Sequence, residues 1–282
     1  YIVVFSRLPQ AVTALLSGGA LAASGLLLQT AFRNPLAAPD IFGVTSGASL
    51  AVALLTLAPG LALSGIVGFL SSVVAAFFGA MAVTAMIWFL GRRVRSSVTL
   101  IIVGMMVGYL CSSAITLLNS LATDEGVHSF VAWGMGDFTG VSIDDLWLFA
   151  PSTVVATLSS LLLVKPLNAL LLGPRYAESM GVNVRKTRNV LLLLTGILTA
   201  LVTAFCGPIA FIALAVPHVA RLFTGVADHR VLLPVTIVMG STIALLCNVV
   251  TTLPPSGTVL PLNAVTSLIG APVIVWVLLR RK

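Results

Sequence analysis

The densest group of chemically active side chains in this 282-residue chain lies within residues 173–188, GPRYAESMGVNVRKTR. Five cations lie in or beside this segment against a single acid, Glu178: Lys165, Arg175, Arg185, Lys186 and Arg188. A short basic segment between two apolar runs is a candidate docking surface. The alternative is an ordinary loop whose charges only set membrane topology. The segment by itself does not favour either interpretation.

Local signals in the same segment predict two helices with a break between them. Pro174 suits a first helical position, because it has no N–H group to leave unpaired. Gly181 suits the left-handed residue that closes a helix, and Asn183 suits the N-cap of the next helix.

Residue types that could bind metals or catalyse a reaction are few and scattered. Cys111, Cys206 and Cys247 lie in apolar runs without metal-ligand spacing, so we predict that they are small buried residues. His218 has no second ligand at ligand spacing and is predicted to serve packing or a helix end, while His128 is predicted to be a solvated loop residue. The chain also lacks a GxxxxGK[ST] phosphate loop. We therefore predict no catalytic residue, no metal site and no bound cofactor.

Composition determines the class of protein. Hydrophobic residues make up 59% of the chain and charged residues 8%, and the mean hydropathy is +1.13. A soluble domain carries about 25% charged residues. Long apolar runs cross a bilayer as helices, so we predict an all-α polytopic membrane helical bundle. The net charge of +7 lies in short clusters between apolar runs, which indicates topology signals rather than nucleic-acid binding.

Nine apolar spans are predicted, at 11–31, 46–60, 62–91, 98–122, 146–164, 189–206, 209–224, 231–253 and 262–279. The second and seventh are short and rich in Gly or Pro, which suits tilted or broken spans packed inside protein. Small residues are dense in Gly18–Gly25, and Gly104 and Gly108 are spaced by four. This pattern predicts close helix packing, although some of these residues could instead line a path.

The distribution of charge predicts an orientation. Basic clusters follow the third, fifth, seventh and ninth spans, whereas Thr123–Asp145 holds five acids and no Lys or Arg. Basic loops face the cytoplasm, so we place the C-terminus there and Thr123–Asp145 outside. Nine spans then put Tyr1 outside, and one further span ahead of it would restore a cytoplasmic start.

The predicted spans are nearly free of ionisable side chains. Residues 41–91, 96–123, 189–217 and 231–279 contain no Asp, Glu, Lys, Arg or His. Carriers driven by ion gradients usually need such groups at mid-membrane. If this protein moves a solute uphill, we expect the energy to enter from outside the membrane. A secondary transporter of a small solute remains the alternative, and a membrane scaffold without transport is a third.

Ordered motifs occur along the chain: RLPQ (7–10), GGALAASG (18–25), RNPLAAPD (33–40), GVTSGASL (43–50), WGMGDFTG (133–140), AESMGVNV (177–184), GPIAFIALAVPHVARLFTGVADHRVLLP (207–234) and LPLNAVTSLIGAPVIVWVLL (260–279). Together they resemble the FecCD family of ABC-transporter permeases, which import iron–siderophore complexes, haem and vitamin B12. The resemblance covers nearly the whole chain, so we expect residues 1–282 to form a single transmembrane permease domain.

The resemblance implies the type II importer fold of the vitamin B12 permease, with ten spans and both ends cytoplasmic, so the family's first span is expected to be absent here. It implies a permease homodimer surrounded by membrane lipid in the bacterial cytoplasmic (inner) membrane. Two cytoplasmic ATPase subunits would use ATP and Mg²⁺, and a periplasmic or lipid-anchored binding protein would deliver the cargo, an iron chelate first of all.

Roles for individual residues follow from the same resemblance. Residues 173–188 correspond to the cytoplasmic coupling helices, with the expected ATPase contacts Tyr176, Ala177, Glu178, Ser179, Met180, Gly181 and Arg185. Expected contacts with the binding protein are Arg7, Gln10 and Thr252. For the translocation path along the dimer interface we predict Gln29, Asn34, Met105, Met106 and Tyr109, because uncharged walls would pass a bulky chelate without trapping it.

The chain departs from the family where the family carries charge. Gln10 stands where the family usually has arginine, and Asn248 and Thr252 stand where it usually has aspartate and arginine. Val259 replaces the glutamate of the family's E-LPVG motif. We therefore predict that the binding protein docks through an apolar or hydrogen-bonded surface that includes Thr251–Gly257.

Overall fold

The computed structural model describes residues 3–57, 65–94, 96–253 and 260–279, and these ranges contain α-helices and no β-strand. A π-helical turn, Val3–Arg7, precedes the first helix. The helices are α1 (Leu8–Phe32), α2 (Val44–Thr56), α3 (Gly65–Arg93), α4 (Ser97–Leu121), α5 (Asp124–Gly134), α6 (Ile143–Leu161), α7 (Val164–Leu171), α8 (Pro174–Ser179), α9 (Val184–Cys206), α10 (Ile212–Thr224), α11 (His229–Thr251) and α12 (Leu262–Leu279).

Each of the nine predicted apolar runs contains an apolar helix, although residues 58–60 of the second run and 62–64 of the third lie outside the described residues. Within the described ranges, α1, α3, α4, α9 and α11 are each long and apolar enough to cross a membrane. Helices α6 and α7 meet at a bend of 48° and pass the same test as a pair. Helices α2, α10 and α12 are shorter apolar segments. The two shortest of these, α2 and α10, are the ones whose Gly and Pro content suggested broken or tilted spans.

The two ends of the bundle differ in the sign of their charged residues. We call the end that carries Arg33, Arg92, α7, α8 and the start of α9 the basic end. The opposite end, where α1 starts, α9 and α11 finish and α5 lies, is called the acidic end because its charged residues are mostly Asp124, Glu125, Asp137, Asp144 and Asp145.

The segment 123–145 contains a helix that the sequence prediction missed. Thr123 caps α5 by accepting a hydrogen bond from the Gly126 N–H group at 3.3 Å, and two acids occupy the first turn. Acidic side chains are favoured there by the helix dipole. His128 is therefore an exposed residue on a helix surface and not part of a loop.

Close packing of small residues builds the centre of the bundle, as predicted. In α1, 78% of the most apolar window is buried, against 17% in α4, so α1 is central and α4 peripheral. Gly18 on α1 faces Gly240 on α11, and a Cβ atom on either would collide with the other's carbonyl oxygen. Gly25 approaches the backbone of Ala213 on α10 in the same way.

The three cysteines lie inside the bundle, as predicted. Cys111, Cys206 and Cys247 are all buried and none forms a disulfide. The described residues contain no group of three or more His, Cys, Asp or Glu side chains with the arrangement of a metal site.

Candidate functional site

The segment 173–188 adopts the predicted succession of helix, break and helix. Gly173 precedes α8 with φ of 111°, and Pro174 takes the first helical position. Gly181 has φ of 82°, the left-handed conformation that glycine adopts at low cost. The Asn183 side chain then accepts a hydrogen bond from the Lys186 N–H group at 2.9 Å and caps α9.

Two backbone hydrogen bonds close α8 tightly. The Val182 N–H group donates to the Ala177 carbonyl and the Gly181 N–H group donates to the Glu178 carbonyl, each at 2.9 Å. This pair is the Schellman arrangement, which satisfies carbonyls at a helix end. Ala177 is fully buried and belongs to the main core, against which Val182 packs. The break is therefore an ordered turn, and α8 is a small fixed knob on the basic end.

Most of the predicted coupling residues point away from the bundle. Tyr176 is 55% exposed and Met180 60% exposed, and Glu178, Ser179, Gly181 and Arg185 are exposed as well. Ala177 is the exception among the seven, because it anchors the knob from inside. The structure thus presents an apolar pair, Tyr176 and Met180, on a rigid support.

A polar clamp that we did not predict joins α7 to the rest of the bundle. The Asn168 amide nitrogen donates to Asp228 Oδ1 at 2.6 Å, and the Asn168 amide oxygen accepts the His229 backbone N–H group at 2.8 Å. His229 Nδ1 lies 2.9 Å from the same amide oxygen, and His229 Nε2 lies 2.9 Å from Thr30 Oγ1. Asn168, Asp228, His229 and Thr30, which we name the α7 clamp, connect α7 to α11 and α1.

The clamp's hydrogen-bond pattern determines which atoms carry protons. Because the Asn168 oxygen is the acceptor that faces His229 Nδ1, that ring nitrogen carries a proton. Hydrogen bonds from the Arg230 backbone N–H group, and from the Asn168 side chain, hold the pKa of Asp228 below its usual range. Asp228 therefore remains an acceptor at neutral pH.

A second polar contact near the basic end involves one predicted path residue. Gln29 is 3% exposed, accepts a hydrogen bond from Arg221 Nη1 at 2.6 Å and donates to the Leu214 carbonyl at 3.2 Å. Gln29 also borders a cleft that includes Arg33 and Arg221, so its place on the path stays a prediction. His218 Nε2 lies 2.8 Å from the Pro35 carbonyl oxygen, in agreement with its predicted packing role.

The remaining path residues are divided between a span surface and a turn. Met105, Met106 and Tyr109 on α4 are 40%, 49% and 62% exposed, so they share the open surface of the most peripheral span. Asn34 lies instead in the turn after α1, where its side chain accepts a hydrogen bond from the Leu36 N–H group at 2.9 Å. Asn34 is therefore at the basic end and not within a span.

At the acidic end, one predicted docking residue is also buried. Gln10 is 3% exposed and donates to the Asn248 side-chain oxygen at 2.8 Å, so a docking protein would reach it only if this contact opened. Arg7 is exposed, and Thr252 is half-buried with its hydroxyl group bonded to the Val249 carbonyl at 3.0 Å. Part of the predicted docking surface, 254–257, lies outside the described residues, as does Val259.

Sequence comparison decides the family. The model of the FecCD transport family matches residues 1–280. The chain belongs to the FecCD family.

Individual FecCD relatives are similar along nearly all of the chain. The vitamin B12 import system permease protein BtuC of Klebsiella pneumoniae is 35% identical over 281 residues, which cover 98% of this chain and 82% of the relative. The hemin transport system permease protein HmuU of Yersinia pestis is 36% identical over 278 residues, with the same coverage of both chains.

Solved structures agree with this assignment. A metal-chelate type ABC transporter in an inward-facing conformation matches 99% of this chain and 87% of its own, with 31% identity and a TM-score of 0.88. The PsaBC structure from Streptococcus pneumoniae matches with 16% identity and a TM-score of 0.62, which shows a shared fold alone.

Family membership resolves the alternatives that the residues left open. FecCD proteins are permease components of ABC importers, so this chain is a multi-pass permease of that class. The alternative of a secondary transporter driven by an ion gradient is thereby excluded, and so is a scaffold without transport.

Proposed function

We propose that this chain is the permease subunit of an ATP-driven importer that carries a metal chelate across the bacterial cytoplasmic membrane. Two copies form a homodimer, two separate ATPase subunits dock at the basic end, and a substrate-binding protein docks at the acidic end. The basic end and the C-terminus face the cytoplasm, in keeping with the preference of Lys and Arg for that side. The chain itself binds no cofactor, and ATP and Mg²⁺ belong to the ATPase subunits.

The α8 knob is the observation that carries the proposal. An ATPase outside the membrane can move the permease only through a rigid contact element, because a flexible loop would absorb the motion instead of transmitting it. The α8 knob is held in place by its Schellman closure, by buried Ala177 and by the α7 clamp. Movement of α8 against an ATPase would therefore be passed through α7 to α11 and α1.

The path is proposed to run along the open surface of α4 where two protomers meet. Met105, Met106 and Tyr109 supply an apolar wall with one phenolic hydroxyl group. A bulky chelate can slide along such a wall, since no charged group binds it tightly.

The chemical class of the cargo is proposed to be a metal chelate, with a ferric siderophore as the first candidate and haem and cobalamin as the other two. The names of the relatives support this class, because they are a vitamin B12 permease and a hemin permease. A thermal-shift screen of the assembled transporter against a ferric siderophore, haem and cobalamin would identify the cargo. If none of the three raised the melting temperature, the metal-chelate class would be rejected.

The coupling role can be tested with exposed residues alone. In proteoliposomes that contain the ATPase subunits and the binding protein, a Tyr176→Ala/Met180→Ala double variant should reduce uptake at least tenfold, about 1.4 kcal/mol of coupling. ATP hydrolysis should become independent of the cargo. The matched control is Leu148→Ala, an exposed apolar residue at the acidic end, which should retain normal uptake.

Two outcomes would count against the coupling role. Unchanged uptake in the double variant would reject the α8 knob as the docking element. If the double variant were not inserted into the membrane, Glu178→Gln, which changes one exposed charge, would decide: normal coupling in that variant would leave α8 a purely structural element. Uptake that persisted without the ATPase subunits would refute the proposed ATP-driven mechanism itself.

A further inference from the structure

A groove opens at the basic end between the last turns of α3 and the first turns of α9. Its volume is about 360 Å³, and its lining includes Trp88, Arg92, Arg185, Lys186, Val190 and Leu193. The lining includes no residue of α8 or of the α7 clamp, but Asn183, Arg185 and Lys186 belong to the coupling segment 173–188.

The groove concentrates positive charge without any acidic partner. Arg92, Arg185 and Lys186 line it, whereas no Asp or Glu does. Within the described residues, none of the three forms an ion pair with a carboxylate. Three like charges on one wall repel each other, so an anion in the groove would relieve a cost that the protein alone does not offset.

Trp88 lies on the same wall as the three cations. The Arg92 guanidinium lies over the Trp88 ring, 4.9 Å from its centroid, so the ring holds this cation at the groove. The Trp88 indole nitrogen is buried and therefore supplies no donor on the groove surface.

The groove becomes apolar along α9. Val190 and Leu193 follow the cations by one and two turns, and Leu193 lies about 12 Å along the helix axis from Arg185 at 1.5 Å per residue. α9 is one of the helices long and apolar enough to cross a membrane, so this direction leads into the bilayer. The groove is therefore cationic where headgroups lie and apolar where acyl chains begin.

We propose that this groove binds an anionic phospholipid from the adjacent membrane leaflet. Arg92, Arg185 and Lys186 contact the phosphate group, and the acyl chains lie against Val190 and Leu193. Basic pockets between membrane helices are suited to such headgroups. Inorganic phosphate shares the headgroup chemistry but would occupy only the cationic half, so lipid is the occupant that matches both halves.

A lipid titration of the solubilised full-length permease, followed by native mass spectrometry, tests this site. The probes are dioctanoyl phosphatidylglycerol, dioctanoyl phosphatidylcholine and inorganic phosphate. We expect the wild type to bind phosphatidylglycerol in preference to phosphatidylcholine. The Arg92→Gln/Lys186→Gln variant should bind phosphatidylglycerol about 30-fold more weakly, since each cation near an anionic lipid contributes about 1 kcal/mol and 1.4 kcal/mol is tenfold.

The matched control is Arg93→Gln. Arg93 is adjacent to Arg92 on α3, but its guanidinium lies over Phe89 and it does not line the groove. This variant removes one positive charge from the same helix end and should retain wild-type lipid affinity. Equal weakening by both variants would show a general charge effect and overturn the site.

Four further outcomes would also overturn the proposal. Equal binding of phosphatidylcholine would show that the headgroup charge is not recognised. Binding of inorganic phosphate as tight as that of the lipid would make a free anion the occupant. If the Arg92→Gln/Lys186→Gln variant still bound lipid but no longer copurified with the ATPase subunits, the groove would be a contact surface for the ATPase. If the double variant did not fold, Lys186→Gln alone should weaken lipid binding several-fold, and unchanged binding would reject the proposal.

Discussion

The Gln10 side chain donates a hydrogen bond to the Asn248 side-chain oxygen at 2.8 Å, across 238 residues of sequence. The family resemblance leads us to expect charge at both positions, arginine at the first and aspartate at the second. The contact joins α1 to α11 near the acidic end, and both side chains are buried. A neutral amide pair therefore occupies a place where a charged pair would have to be desolvated.

A double-mutant cycle would measure how specific this pairing is. Gln10→Arg alone places an unpaired charge in a buried site, and so does Asn248→Asp, so each should cost about 3–5 kcal/mol of unfolding free energy. The Arg/Asp double variant should recover at least about 1 kcal/mol relative to the sum of the single changes. Unfolding in mixed micelles would provide the values. Strict additivity would mean that the two side chains do not interact.

Docking of the binding protein should depend only weakly on salt. Gln10, Asn248 and Thr252 are all neutral, so none of these three positions can form an ion pair with a binding protein. Surface ion pairs weaken as ionic strength rises, whereas apolar contacts do not. We expect the dissociation constant to change less than about threefold between 0.05 and 0.5 M salt. A steep loss of affinity would contradict the docking hypothesis.

Breaking the α7 clamp should reduce the rate of uptake by more than the loss of folded protein alone would explain. Asn168→Ala removes the partner of Asp228 and of the His229 backbone N–H group, and an unpaired buried group costs about 1–3 kcal/mol. Thermal unfolding and uptake should both be measured. Lys165→Ala changes an exposed residue of the same helix and serves as the control. Normal uptake in Asn168→Ala would show that α7 does not transmit motion.

The contact between α1 and α11 should tolerate no added methyl group. Gly18→Ala places a Cβ atom against the Gly240 carbonyl oxygen, so the helices must separate, at a cost of about 1–3 kcal/mol. Gly134→Ala on α5 meets no heavy atom within 4 Å and should be neutral or stabilising by up to about 1 kcal/mol. Equal melting temperatures for the two variants would argue against close contact at Gly18.

Asp40, in the turn between α1 and α2, should make stability depend on pH. Burial raises the pKa of its carboxyl group from 3.8 to about 6, although a hydrogen bond from Thr45 lowers it in part. The unfolded chain releases the proton first, so stability should fall as pH rises from about 4 to about 6 and stay level above that. Relative to wild type, Asp40→Asn should gain up to about 3 kcal/mol across this window.

Thermal unfolding of both proteins between pH 4 and pH 8 would test the role of Asp40. The difference in stability should widen up to about pH 6 and then remain constant. A constant difference throughout would show that Asp40 titrates with an ordinary pKa.

Much of the fold follows from the sequence because its signals are local. Apolar runs predicted the membrane helices, since each helix satisfies its own backbone hydrogen bonds. Pro174, Gly181 and Asn183 predicted the ends of α8 and the start of α9, because a cap involves atoms only a few residues apart. The family motifs predicted the permease fold. Two helices were missed, α5 and α7. The acidic first turn of α5 resembled a solvated loop, and Lys165 and Pro166 at the start of α7 resembled the end of the preceding span.

The long-range polar contacts were decided by tertiary packing alone. Gln10 and Gln29 appeared to be surface residues, yet helix packing enclosed both and supplied partners 238 and 192 residues away. The α7 clamp joins residues 199 apart, and the lipid groove needs Arg92 and Lys186 to face each other across two helices. The sequence does not distinguish a polar side chain that faces water from one that contacts a buried partner. Only the arrangement of the helices determines which of the two surroundings the side chain has.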